Sequence, residues 1–577
     1  MNSAREVHLL TKEQGATVDR KVTGIPAGAA YMRLESSGPD TLIVHYQTRA
    51  NGVSSYRVAL VDIATASVTE TYAALSTGAA SASAVSATHL AWIEWPATET
   101  ATLAVARRGT TDVTRTPLGK ATSMNVKVVG DWVTYAQLNG RVATSPNPLH
   151  ALTARSLTDP QRTVELLDHV GHATPTADGG VLATGGTVEQ GGGVYRIAPG
   201  ADGVPVATMT ASTGESTVLG VENSDHPLPA VVDFARGEDA SLFWLFDRAM
   251  NARVVMTHNA SGRRWTSETI HLDRAHIAGT TWTGMLDDKT SAPLGDYTWK
   301  MTASPLNGIG PSVERTGALK VTSKPAPHDF TNSGTPDLLV RDSAGRVINY
   351  DARQTLYETG HWGNPSKRTQ VIMGTGWQIY DRVVAPGNLD ASPHADVIAR
   401  DRNGLLWFYS GTGRGLAPRK QIGYSWGVYT HLTGGGDLTG DGRADLVATD
   451  KTGALWLYKG TGNADTPFSV RKKIGTSWGV YNRIAATGNI GGGPAGDLVA
   501  RDTAGVLWLY LGKGDGTFAP RIKVGGGWDR FSDIVGVGGT YETLALYKGT
   551  GDWRAPFGSR TQIYNPEELG TGAVTLF

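Results

Sequence analysis

Asp437-Leu438-Thr439-Gly440-Asp441-Gly442-Arg443-Ala444-Asp445-Leu446-Val447-Ala448-Thr449-Asp450, then Lys451-Thr452-Gly453 and Ala454-Leu455-Trp456-Leu457-Tyr458, is the stretch whose reading decides the fold. Two apolar runs flank a Gly-containing turn, which is the pattern of a β-hairpin. Both runs carry apolar residues on both faces, as a sheet covered on two sides requires. The wording returns: Asp396 to Asp401 precedes Leu406-Trp-Phe-Tyr409, and Asp497 to Asp502 precedes Leu507-Trp-Leu-Tyr510. An earlier copy runs Asp337 to Asp342 and Val347-Ile-Asn-Tyr350, and a clipped one keeps Leu544 to Gly549. A period of about fifty residues is that of four-stranded propeller blades. Residues 572–577 resemble the strand that precedes each later copy, as in Asp381 to Ala385, so the expectation is that they supply the strand missing from the first copy and close a five-bladed ring.

The other residues point the same way. The chain holds 73 Gly, 16 Trp and 19 Tyr, which suits short aromatic strands joined by tight turns. Lys+Arg and Asp+Glu balance at 53 each, so neither a nucleic-acid nor an anionic-membrane partner is expected. With no Cys, zinc–thiolate sites, iron–sulfur clusters and cysteine catalysis are excluded for this sequence. No apolar run approaches the ~20 residues of a membrane span.

A weaker repeat of about 40–50 residues fills the N-terminal part. Thr41 to Tyr46, His89 to Trp95, Trp132 to Tyr135 and Val181 to Thr184 each lead into a second strand. Residues 1–227 therefore read as a diverged propeller, with Ser216 to Gly220 and Glu6 to Leu10 sharing a fifth blade. Residues 228–322 change character and read as a small β-sandwich, with a Trp-bearing late strand at Gly295 to Met301. Residues 323–577 begin with a stiff linker and continue into the repeats.

The loop before each hairpin offers oxygens at alternate positions, as a hard cation such as Ca²⁺ needs. In the clearest copy these are Asp437, Thr439, Asp441, the carbonyl of Arg443, and Asp445. The first copy aligns Asp329, Thr331, Ser333 and Asp337, and the second Asn388, Asp390, Ser392 and Asp396. The fourth, Asn489, Gly491, Gly493 and Asp497, keeps one carboxylate.

These residues resemble the FG-GAP or VCBS repeat of secreted bacterial, actinobacterial-type β-propeller proteins. The segment Trp282 to Trp299 resembles the immunoglobulin-like domain of flagellar hook-capping proteins. The resemblance implies an all-β chain: two β-propellers, the C-terminal one five-bladed, joined by an Ig-like β-sandwich. It also implies export, with the signal lying outside this sequence, one to three Ca²⁺ ions in the Asp loops, and adhesion or carbohydrate binding.

Trp377, Trp426, Trp478 and Trp528 recur after Gly or Ser, which places them at strand ends, where an exposed indole stacks on sugar C–H surfaces. Trp407, Trp456 and Trp508 of the hairpins read as packing between blades. Gly423 to Gly427 and Gly475 to Gly479 match a G-x-S-x-G nucleophile pattern, but they lie in a repeat with no helix to follow. An enzyme would have to use the N-terminal strands, through His45, Tyr46, Trp92, Glu94, Trp95 and Tyr135. The expected function is a secreted, non-catalytic, lectin-like binding protein for carbohydrate or a cell-surface polymer. The alternatives are a polysaccharide-degrading enzyme and a protein-binding scaffold.

Overall fold

A computed structural model describes residues 6–13, 15–36, 40–75, 82–324, 326–351, 371–536, 545–550, 552–562 and 575–577. It is all-β. Among the described residues the only helical pieces are three-residue 3₁₀ turns, and most strands fall into four-stranded antiparallel sheets.

In the C-terminal part, each copy folds as one up-and-down sheet. The run that decided the fold becomes Leu446–Asp450, a turn at Gly453 (φ 76°), and Leu455–Tyr458, in the register Leu446↔Tyr458. Tyr429–Gly434 precedes the hairpin and Lys472–Gly475 follows it as the outer edge. The same order recurs over residues 380–423 and 481–525. The first copy takes its fourth strand from Thr575–Leu576, which pairs with Val340 and Arg341, while Phe577 N–H donates to Leu339 O at 3.1 Å. A further pair, Ala545–Gly549 and Phe557–Gln562, follows the fourth full sheet. The expected start of that copy, Leu544, lies outside the described residues, as do residues 572–574.

Apolar clusters join each of these sheets to the next. Leu339 and Val347 meet Ala385 and Val397 around Phe577. Ile398 and Phe408 meet Leu446 and Ala448. Val447 and Leu457 meet Leu498 and Ala500, and Val499 and Leu509 meet Phe557. Burying a side chain such as Phe577 contributes about 2 kcal/mol. An arginine also clamps three junctions: Arg400 Nη1 donates to Trp426 O at 3.0 Å and Tyr429 O at 2.7 Å, and Arg341 and Arg501 repeat the device.

The N-terminal part holds four four-stranded sheets as well, joined in sequence by clusters around Leu60 and Leu90, Leu103 and Val133, and Leu152 and Val181. The expected fifth blade is not made as read. His8–Glu13 pairs with Ala16–Lys21 as a hairpin packed on Val44 and Val61, and Ser216 to Gly220 forms no strand. A local hairpin closes a much shorter loop than a head-to-tail strand would.

Between these parts, two sheets share one core containing Trp244, Trp282, Trp299 and Phe246. The first strand of this unit is Val221–Asn223, paired with Ala240–Phe246, so its sheets begin ahead of residue 228.

Candidate functional site

Each Asp loop is built around the carboxylate at its ninth position. Asp445 Oδ2 accepts from Leu438 N at 3.0 Å and Oδ1 from Gly460 N at 2.9 Å. Asp396 does the same with Leu389 N and Gly411 N, and Asp497 with Ile490, Gly491 and Gly512 N–H groups. Asp337 accepts from Phe330 N and Thr331 N. This carboxylate ties the start of the loop to the exit of the hairpin, which explains why Asp497 stays where Gly491 and Gly493 have replaced other oxygens. Sequence spacing alone reads the position as a ligand and misses the staple. Burial lifts the Asp396 carboxyl to about 7 and raises Asp445 and Asp497 as well.

The loops differ in what the residue after the hairpin tyrosine brings to them. In the first loop it is Asp351, the register partner of Asp337. Burial, with the Asp351 charge adding to it, holds Asp329 at about 7 and raises Asp337 well above the usual carboxylate range. Asn349, 2% exposed, turns its amide to Asp337, and its Oδ1 has no hydrogen-bond partner. In the second loop the residue is Ser410, whose hydroxyl donates to Asp390 Oδ2 at 2.6 Å; Asp390 Oδ1 already takes Ser392 N, and Asn388 Oδ1 takes Asp390 N. In the third it is Lys459, its Nζ 3.6 Å from Asp441 Oδ2, with Arg443 Nη1 at 3.9 Å. Asp437 there accepts four backbone N–H groups, from Thr439 to Gly442. Thr439 Oγ1 is buried, faces Asp445 without reaching hydrogen-bond geometry, and has no partner. In the fourth loop Leu511 fills the mouth, against the space where a Gly491 side chain would stand. The first loop's Thr331 Oγ1 and Ser333 Oγ are already bonded to one another at 3.1 Å. Among the described residues no three His, Asp or Glu side chains are gathered into a metal-holding group.

The tryptophans expected to be open to a ligand are not. Trp377, Trp426 and Trp478 are only 4, 9 and 6% exposed, stacked on Tyr409, Tyr458 and Tyr510 at 4.5, 4.6 and 4.4 Å, so they are not open stacking faces. The Gly or Ser before each one is a left-handed turn residue that swings the indole inward: φ is 79° at Gly376, 62° at Ser425 and 64° at Ser477. Trp528, half-buried, packs on Phe531 and Phe557. The same turns settle the G-x-S-x-G matches: Ser425 and Ser477 open 3₁₀ turns that lead into strands.

The hairpin tryptophans do pack against the cores between sheets, as expected, and keep one part open to solvent. Trp407, Trp456 and Trp508 are half-buried, and the guanidinium groups of Arg419, Arg471 and Arg521 lie over them at 4.1, 4.1 and 4.0 Å. Each indole N–H is held by an aspartate: Asp401, Asp450 or Asp502. Each arginine Nη1 donates to a tyrosine hydroxyl, of Tyr380, Tyr429 or Tyr481, which in turn meets Tyr409, Tyr458 or Tyr510 at 2.5 Å. Three sheets thus present the same Trp–Arg–Tyr surface. The signal in the sequence was the arginine just ahead of each outer strand.

In the N-terminal part His45, Tyr46, Trp92, Glu94 and Tyr135 are buried and Trp95 is half-buried. Glu94, 0% exposed, accepts from Trp92 Nε1, Leu75 N and both Arg115 Nε (2.7 Å) and Nη2 (3.0 Å). A carboxylate so bound is a structural anchor. His45 Nε2 meets Ser83 Oγ at 3.2 Å, and Ser83 continues to Glu35, paired with Arg33. Burial, with Arg33 adding to it, lowers the His45 imidazole to about 4.

No protein-family model matches the chain, and no curated protein matches it. Among solved structures it is similar to the BP39L lectin from Burkholderia pseudomallei, at 11% identity, 78% of this chain and 99% of that one, with a TM-score of 0.25. It is also similar to AztD from Citrobacter koseri (8% identity, 82% and 94% covered, TM-score 0.23) and BamB from Moraxella catarrhalis (11%, 74% and 94%, 0.19). Scores this low decide nothing about fold or function, which rest on the sheets and side chains themselves.

Proposed function

We propose that this chain is a secreted, non-catalytic, lectin-like binding protein for a carbohydrate or cell-surface polymer, with two β-propellers joined by an Ig-like β-sandwich. The observation that carries the reading is the surface repeated on three sheets around Trp407, Trp456 and Trp508. Equivalent shallow sites at fixed spacing suit a polymer that repeats one unit, because avidity then supplies what each contact lacks. The five-bladed closure is supported by the pairing of Thr575–Leu576 with the first C-terminal sheet. The anchored state of Glu94 supports a non-catalytic role for the N-terminal part.

Calcium fits two loops better than the others. Orphaned buried oxygens mark them: Thr439 Oγ1, which faces Asp445, and Asn349 Oδ1, on the side chain that turns its amide to Asp337. At 388–396 the side-chain oxygens already have protein donors. A bound Ca²⁺ would offset the carboxylate charge and stiffen the turn. A glycan array read with and without a chelator tests both parts. We expect binding to polysaccharide, and a lower melting temperature in chelator. No glycan signal, together with a protein partner that co-purifies stably, would overturn the binding reading. A melting curve indifferent to chelator would overturn the calcium sites.

A further inference from the structure

The hairpin arginines carry the inference further. Arg419, Arg471 and Arg521 are exposed, although a protein with equal numbers of acids and bases could pair them. Among the described residues none of the three has a carboxylate partner, whereas Arg115, Arg196, Arg263 and Arg400 each do. Each guanidinium is fixed twice, by the indole beneath it and by the tyrosine hydroxyl at Nη1. Asp401 and Asp502 feel the charges of Arg419 and Arg521, but no ion pair or hydrogen bond is formed at the Nε–Nη2 edge of the three among the described residues. This edge is the two-pronged fork that matches a carboxylate or sulfate. Holding it in place beforehand removes most of the ordering entropy that an exposed arginine loses on binding. Exposed lysines share two of the three outer strands on the tryptophan face, Lys473 opposite Trp456 and Lys523 opposite Trp508, while Gln421 stands opposite Trp407 and Lys420 pairs with Asp465. The arginines and these lysines lie at or just ahead of the outer strands Lys420–Gly423, Lys472–Gly475 and Ile522–Gly525, so the stations repeat along the sheet edges. Lysines alone would serve to keep such edges from pairing with other chains. A stacked, hydroxyl-anchored arginine in each sheet is more than that task needs.

We propose that the three arginines form a repeated anion-binding rim that takes a linear acidic polysaccharide, one carboxylate or sulfate seated on each Nε–Nη2 fork. This rests on the polysaccharide-binding reading above and names its ligand class. The balanced net charge gives the whole protein no long-range pull on polyanions, so selectivity comes from the forks at short range.

The test is binding of the full chain to immobilised polygalacturonate, dextran sulfate, neutral dextran and a single-stranded oligonucleotide, at two salt concentrations. We expect one or both acidic polysaccharides to bind, more weakly at high salt, and neutral dextran not to. The preferred polymer shows whether carboxylate or sulfate is the anion. The triple variant Arg419→Gln/Arg471→Gln/Arg521→Gln should bind more than about tenfold more weakly, as loss of multivalent contact implies. The matching Lys triple variant keeps the charge, loses the fork, and should also bind more weakly. Should a triple variant melt early, the three single Gln variants give a graded loss instead. Neutral-glycan binding that survives the triple variant overturns this inference and leaves the lectin reading standing. No polysaccharide binding at all overturns both. Oligonucleotide binding as strong as polysaccharide binding shows an unselective cationic surface and overturns the inference.

Discussion

Among the described residues the N-terminal and C-terminal parts each contain four four-stranded sheets, held by different means. In the C-terminal part most junctions draw on one set of parts: the stapling Asp, the inward Trp on Tyr, the paired tyrosine hydroxyls and the arginine clamp. Where a part is missing, the gap is visible. Thr449 stands at the clamp position of Arg400 and Arg501, and its buried hydroxyl has no partner. In the N-terminal part the junctions have their own solutions, such as the Glu94–Arg115 pair that holds Leu75 N and Ala73 O of the preceding sheet and its exit, or His45 with Ser83. Shared parts spread the load over many equivalent contacts, while single solutions concentrate it.

Breaking a single solution should therefore have the largest effect. Glu94→Gln leaves Arg115 facing a neutral amide and is expected to destabilise by about 3 kcal/mol, the low end for a broken buried pair since Arg115 is partly exposed. Thermal melts should show it in the N-terminal transition, with polysaccharide binding unchanged. A drop in binding with no loss of stability would return Glu94 to a functional role.

Acid should weaken the N-terminal part next. His45 titrates at about 4 against an ordinary 6.5, so the unfolded chain takes up its proton first. Its contribution is whole above pH 6.5, falls as pH drops toward 4, and is level below. One such histidine is expected to remove about 2 kcal/mol by pH 5. The facing groups are Arg33, Ser83 and Glu35. Denaturant melts of wild type and His45→Gln from pH 7 to 4.5 would measure the slope, and an unchanged slope in the variant would refute its origin.

Asp497→Ala sharpens the comparison from the other side, because it removes a shared part in the one loop that Leu511 fills. Three N–H groups lose their acceptor, at a cost of about 2 kcal/mol. The loss should be the same with calcium or chelator; dependence on calcium would show that this loop holds metal too. The smallest effect is a gain. Ser477 pays for a left-handed turn that Gly376 and Gly527 adopt freely, so Ser477→Gly should stabilise by about 1 kcal/mol, read as a raised melting midpoint.

Much of this was legible where the sequence repeats. The hairpin of Leu446–Asp450 and Leu455–Tyr458 follows from its turn and two-sided apolar pattern, and the pairing of Thr575–Leu576 from likeness to its neighbours. The inward direction of Trp426 was not legible, because Ser425 reads as surface chemistry until its φ of 62° is known. Nor was the staple role of Asp445, whose second partner, Gly460, lies fifteen residues ahead. In the N-terminal part the four strand successions read from the sequence do pair, but the faint repeat did not fix the closing blade, and His8–Glu13 found its own neighbour.

The union of Arg341 with Thr575, 234 positions apart, sets a timetable. At 5–20 residues per second, a ribosome needs roughly 12–47 s to travel between them. For that interval the first sheet of the set waits with a bare edge while its three full successors emerge complete. A nascent chain is then most exposed to wrong partners at residues 337–341, and chaperone protection would matter most there.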